Sequence, residues 1–396
     1  MTGSSPDQVR IARLESLGET SVTQRSDVLR STNPIVGLTS SRLGRDVFVH
    51  RRLCQFLCRS LLDCRTADAS VAVAKGSAIE PWAVRAAKLF NVPLLLISVD
   101  ENDGDISDVV IRGMKVSRDA AVITLSDRVD AIHVRKGGNV ERHLRDRILR
   151  FRDASTRVAV SVDSGDASQG LIKDGAIGWY LGGRDEDPAP DLPLDATQLP
   201  RGPTQWMHTD GQWLVHCTRA RQGPWPGETV DQYRDAVLTD HPRATRRGPI
   251  DALQRIVQSR SLIASAVTTA KNAPVVCFSS LPMAQILQRR CFRPHLGRWD
   301  YEPFGIAIRT SALIKMGVKP VIYGQPGDRS AMHPEDRYRF QAVGKTYDWR
   351  SEREWRSKTG IDLGSLSPDD VRVFAKTSTQ ARDSLHGCPW PVTWIE

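Results

Sequence analysis

The chain has 396 residues, with 55 Lys and Arg against 46 Asp and Glu for a formal net charge of +9, and it is 40% hydrophobic and 26% charged. That length suits two domains rather than one, and so large an apolar fraction excludes a chain that stays disordered. No run approaches the roughly 18 to 20 apolar residues of a membrane helix, and Met1 to Arg10 is polar with no apolar stretch behind it. No membrane association is expected, and the expected compartment is the cytoplasm.

The seven cysteines (Cys54, Cys58, Cys64, Cys217, Cys277, Cys291 and Cys388) form no CxxC pair, which fits reduced thiols. Cys54, Cys58 and His50 would supply only three ligands on one helix face, so no metal is expected. The positive charge is interleaved with acids along the chain. It is weak evidence for nucleic acid, although 44 of the 55 cations are Arg, which suits phosphate.

In chain order, residues 1–32 read as a partly ordered lead-in with one helix from Asp7 to Leu17. From Asn33 short apolar runs alternate with helical stretches, the pattern of a parallel sheet covered by helices. Strands are expected at Ile35 to Thr39, Ser70 to Ala74, Pro93 to Val99, Ala131 to Val134 and Thr156 to Val162. Helices are expected at Val47 to Leu62, Pro81 to Phe90 and Asn139 to Phe151. The fold class is therefore α/β, a Rossmann-like three-layer unit over 33–184, followed by a Pro-rich acidic linker over 185–202 and a mixed α+β domain over 203–396. Nine of the ten Trp lie beyond residue 178, which marks the change of domain.

In such sheets a ligand sits at the carboxyl edge, where helix N-termini present backbone N–H groups to anions. Three loops there carry suitable residues. The first holds Ser40, Ser41 and Arg42; the second Gly76, Ser77 and Glu80, the last as a ribose acceptor; the third Gly137, Gly138 and Asn139. None is a GxGxxG or a GxxxxGK[ST], and any one of them reads equally well as a geometric turn. With "VGLTSSR", "VAKGSAIEPWAVRAAKLFNVPLLLIS" and "VDAIHVRKGGNVERHLRD", residues 33–163 resemble the SLOG superfamily, which includes DprA-like and Lonely-Guy-like proteins. The resemblance implies binding of a nucleotide or nucleotide-derived signal. The hydrolases of that group carry PGGxGTxxE. Here Gly137-Gly138-Asn139 lacks the Thr, although Glu141 follows, so sensing is favoured over hydrolysis.

In the second half, Trp213 to Ala220 alternates so that His216 and Thr218 can share a face. A rigid Gly223-Pro224-Trp225-Pro226-Gly227 turn follows. Helix Pro249 to Gln258 precedes strands at Val275 to Phe278, Phe304 to Ile308 and Pro320 to Gly324. In Trp349 to Arg356, an extended chain would put Glu352, Glu354 and Arg356 on one face, where two carboxylates flanked by Arg can stabilise a sugar cation; the alternative is a structural ion-pair network.

The order of a His-x-Thr strand, a "CFSS" strand and an acidic strand resembles the ADP-ribosyltransferase-like fold over about 205–376, including DarT-type enzymes. With "EPFGI", "PVIYG" and "EREWR" it is also similar to uncharacterised bacterial domains, some tied to phage defence. The resemblance implies NAD as co-substrate. His216 would hold a ribose, Ser279 would support the nicotinamide ribose, and Glu354 or Glu352 would be the catalytic residue that orients the 2′-hydroxyl and favours an oxocarbenium-like state; Thr218, Tyr323 and Trp225 complete the expected NAD site. The expectation is a defence or stress effector whose first domain senses a nucleotide signal and whose second transfers ADP-ribose to a nucleic acid or protein, or hydrolyses NAD. Relatives of the first domain suggest a homo-oligomer. The alternative is a non-enzymatic nucleic-acid or partner-binding protein.

Overall fold

The computed structural model describes residues 6–18, 20–24, 32–44, 47–100, 108–113, 116–151, 155–160, 165–180, 199–241, 244–265, 274–293, 298–344 and 348–396. It forms two units, Met1–Asp187 with Val230–Thr245, and Pro188–Thr229 with Arg246–Glu396. Residues 185–198 of the expected linker lie outside the described residues.

The first unit is an eight-stranded sheet. Its strands are β1 (Thr20–Gln24), β2 (Ile35–Ser40), β3 (Ser70–Ala74), β4 (Leu94–Ser98), β5 (Val109–Gly113), β6 (Arg128–His133), β7 (Thr156–Val160) and β8 (Ile177–Tyr180), in the order β1-β5-β4-β3-β2-β6-β7-β8. Every pair is parallel except the antiparallel β1–β5 edge. The central strands are buried on both faces, which is why they read as unbroken apolar runs rather than alternating ones.

Alternate residues face two helix layers. Val36, Leu38, Val71 and Val73 pack under α2 (Val47–Thr66), α3 (Glu80–Phe90) and α7 (Val230–Leu238). Ile35, Ala72, Leu95 and Ile97 pack under α1 (Pro6–Glu15) and α4 (Arg118–Leu125), while α5 (Asn139–Arg150) and α6 (Gly165–Lys173) cover β6 and β7 on that side. On α2, Leu53, Phe56, Leu57 and Leu61 recur at helical spacing and are buried, each contributing about 1.5–3 kcal/mol. Gly37 is required in β2 because a Cβ there would run into Ser126 at the end of α4.

The described part of the lead-in packs on this unit: Arg10 and Arg13 of α1 are buried against Asp127, and β1 adds a strand to the sheet. Residues 230–245, expected with the second domain, belong to the first unit, where α7 sits on α2 and α3.

The second unit is built on a seven-stranded mixed sheet. Its strands are β9 (Trp213–Cys217), β10 (Val276–Ser279), β11 (Gly305–Arg309), β12 (Lys319–Pro320), β13 (Glu354–Ser357), β14 (Val371–Ala375) and β15 (Val392–Trp394), in the order β12-β13-β10-β9-β11-β14-β15. Only β14–β15 is parallel. Leu214, Phe278, Ile306 and Val373 face a core with α8 (Pro249–Ser259), and Trp213, Val215, Ala307 and Phe374 face a smaller core with Trp206.

Candidate functional site

From β2 the first unit builds outward through β3, β4 and β5, then returns through α4 to lay β6 on the other side of β2. The switch point is therefore between β2 and β6, where the two following helices diverge and leave a crevice at the carboxyl edge. The three loops expected to bind a ligand follow β3, β2 and β6, three consecutive strands of the sheet, so they are neighbours.

The β2 and β6 loops are hydrogen-bonded to each other. The Ser41 N–H donates to the His133 carbonyl at 2.7 Å, and the Arg135 N–H donates to Ser41 Oγ at 3.0 Å. Gly138 lies in the same junction; a Cβ there would stand 3.1 Å from the Arg135 carbonyl. Ser40 is turned inward, with its hydroxyl donating to the Ser41 carbonyl at 2.8 Å. Arg42 is exposed at the rim.

The β3 and β6 loops share a device. Gly76 and Gly137 take φ of +71° and +73°, and each donates its N–H to a carboxylate four residues on, Gly76 to Glu80 at 2.5 Å and Gly137 to Glu141 at 2.6 Å. Each Glu fills the place an anion would take on its own loop and fixes the start of α3 or α5. Glu80 therefore has one carboxylate oxygen committed to the loop rather than to a ribose. Arg118, at the start of α4, donates to the Gly76 carbonyl, a contact that no local sequence signal announces because it crosses from a distant helix.

Ser77 is 8% exposed, and its Oγ has no hydrogen-bond partner among the described residues. A buried hydroxyl left without a partner costs roughly 1–3 kcal/mol, which a ligand acceptor would recover. Arg42, Lys75, Arg118, Arg135 and Lys136 lie in or beside these loops. Burial, with Arg135 second, holds His133 below its ordinary pKa, so it adds no charge at neutral pH. The edge thus offers hydroxyls, backbone N–H groups of the first turn of α5, and several cationic side chains. That set is suited to a phosphate-bearing ligand.

In the second unit the structure separates the expected NAD residues. Ser279 and Glu354 are directly opposed across β10 and β13, and Ser279 also opposes Val215, so all three share one face. His216 opposes Ile306 and meets Phe278 edge-on, which places it on the other face. Its Nδ1 donates to the Cys277 carbonyl at 2.8 Å, and burial lowers its pKa to about 4. It is a neutral imidazole held by the backbone.

Glu354 accepts from Arg356 at 2.9 and 3.1 Å, and Arg356 also donates to the Tyr338 and Phe340 carbonyls and to Gln341. Burial works against the Arg356 charge, but Glu354 beside it more than compensates and raises its pKa. Tyr323 Oη accepts the Glu354 N–H at 3.3 Å, and burial pushes the phenol pKa up.

Glu352 does not join that face. Residues Trp349–Glu352 form a 3₁₀ turn started by the Asp348 side chain accepting the Arg350 N–H, and Arg353 then takes φ of +48°, so the expected continuous extended segment is broken before Glu354. The Ser279 hydroxyl donates to the Glu352 carbonyl at 2.8 Å. Thr218 donates to the Pro249 and Phe304 carbonyls, a structural role. Trp225 is 7% exposed, with the guanidinium groups of Arg247 and Arg255 each 5.4 Å from its ring, so its faces are not open for stacking. Among the described residues no His, Cys, Asp and Glu gather into a metal site. No helix among them is long and apolar enough to cross a membrane.

No family profile and no curated protein sequence matches the chain. Among solved structures it is similar to DNA processing protein A (DprA) from Streptococcus pneumoniae, at 13% identity and a TM-score of 0.29, covering 40% of this chain and 62% of that one. DprA from Helicobacter pylori is similar at 12% identity and a TM-score of 0.30, with 41% and 81% covered. The molybdenum cofactor binding protein from Rippkaea orientalis is similar at 15% identity and a TM-score of 0.28, with 38% and 91% covered. The chain therefore spans less than two thirds of the first of these, and each likeness is one of fold.

Proposed function

We propose that the first unit binds a phosphate-bearing, nucleotide-like ligand across the β3, β2 and β6 loops and so acts as a sensor of a nucleotide-derived signal. The observation that carries this is the convergence of the three loops at the switch point, around a buried hydroxyl without a partner and a rim of cations. The lack of a hydrolase Thr after Gly138 favours sensing over turnover. The test is thermal stabilisation of the full chain by a panel of nucleotides and cyclic nucleotides. Exposed Arg42 makes Arg42→Glu a safe probe of the site. It should weaken the stabilising ligand by at least about ten-fold, the loss expected when one charge-assisted phosphate contact becomes repulsive. Wild-type protein indifferent to the whole panel would refute the reading.

For the second unit, transfer of ADP-ribose from NAD, or NAD hydrolysis, has one supporting observation: Ser279 and Glu354 share a face, with Glu354 held by Arg356. Glu354 would stabilise positive charge developing at the ribose, a contribution of a few kcal/mol in a preorganised site. His216 takes no part in this version. Glu354→Gln should abolish NAD loss; loss that persists in both Glu354→Gln and Glu352→Gln would end it.

A further inference from the structure

Within the second unit, Cys291–Arg293 and Arg298–Asp300 form an antiparallel hairpin in which Phe292 directly opposes Trp299. Side chains alternate across a strand, so Cys291 and Asp300 turn to one face and the two aromatics to the other. There they stand 47% and 40% exposed, with ring centroids 5.5 Å apart and tilted by 57°. Two adjacent exposed aromatics present an apolar face that a partner can cover.

The surroundings point to the occupant. Arg289, Arg290 and Arg293 precede or lie on the hairpin's first strand, with no acid and no Lys among residues 289–293. Arg290 lies with its guanidinium carbon 4.1 Å from the Trp299 centroid and is held there by Glu302 at 3.1 Å. Arg293 and Arg219 reach Asp300 from the other face, at 3.1 and 3.4 Å. Arg289 donates to Ser351 Oγ at 2.9 Å, and Glu352 as well as Asp300 acts on Arg293, so Arg290 is the cation set directly against the aromatic pair.

Aromatic faces beside planar cations match a polymer that carries flat bases on an anionic backbone. The bases must be unpaired, because a duplex hides their faces. We propose that this hairpin is a stacking surface for single-stranded nucleic acid, with Phe292 and Trp299 taking bases and Arg290 beside them taking a phosphate. The surface is independent of the nucleotide site of the first unit.

The test is a titration of the full chain with a labelled single strand of about 20 nucleotides, followed by anisotropy and by quenching of Trp fluorescence. Phe292→Ala and Trp299→Ala should each weaken binding by about ten-fold. Arg290→Ala should weaken it and reduce the dependence of log affinity on log salt by about one. Phe48→Ala, at a more exposed aromatic of the first unit, should change nothing, and melting curves should show every variant folded. Wild-type affinity in the two hairpin aromatic variants, or no binding by the wild type, would overturn the proposal. So would loss of binding to vesicles of anionic lipid, but not to the oligonucleotide, in those variants.

Discussion

Asp127 ties three parts of the first unit together. Its carboxylate accepts from Arg10 at 2.7 and 3.1 Å, from Arg13 at 3.3 Å and from the Ile35 N–H at 2.9 Å, so α1, the start of β2 and the end of α4 meet on one side chain. Arg10 is 1% exposed and loses its main anion if Asp127 goes. Asp127→Ala should therefore cost about 2–3 kcal/mol in urea unfolding, while Asp127→Asn, which keeps an acceptor, should cost less. His216 gives a residue-scale pH prediction. Its folded pKa is depressed from 6.5 to about 4, so the unfolded chain binds the extra proton first, and the stability it contributes is present above about pH 6.5 and lost as the pH falls toward 4. His216→Gln keeps a donor for the Cys277 carbonyl and cannot titrate, so it should flatten acid unfolding over that window. An unchanged pH profile in the variant would count against a neutral buried imidazole.

At the scale of elements, α7 is the clearest case of a segment whose destination the sequence does not announce. Tyr233 is buried against Trp82, their rings 6.0 Å apart, and Arg85 meets Asp235 at 2.5 and 2.6 Å, lowering the Asp235 pKa chiefly through that hydrogen bond. Tyr233→Ala should destabilise the first unit by about 3 kcal/mol through the cavity it leaves, and Asp235→Asn should do measurably less, because its partner remains solvated. Calorimetric melting of the two variants checks the order.

The strands β2, β3, β4 and β7 were legible because burial on both faces writes a continuous apolar run, and α2 and α3 because one buried stripe repeats at helical spacing. By contrast, β1, β5 and α7 are placed by partners far along the chain, and local pattern holds no record of them. The Trp349 to Arg356 segment misleads for a different reason. Its alternation suits a strand, but the Asp348 cap and the left-handed Arg353 turn the first half into a 3₁₀ helix. The three loops drew attention because Gly, Ser and Arg recur at the carboxyl ends of three strands, whereas the face on which His216 lies depends on register, which only the paired strand reveals.

At the scale of the whole molecule, the change of composition near residue 178 does mark two kinds of architecture, a parallel sheet between helices and a mixed sheet with aromatic cores. The return of residues 230–245 to the first unit means that the chain passes between the two units more than once. The function proposed for the first unit rests on its carboxyl edge, and hydrogen exchange of the full chain with and without a nucleotide that stabilises it tests the proposal most directly. The account predicts slowed exchange in residues 40–44, 75–80 and 135–142 together, and no such slowing in Arg42→Glu at the same ligand concentration. Protection confined to the second unit, or protection at the three loops that survives Arg42→Glu unchanged, would contradict it.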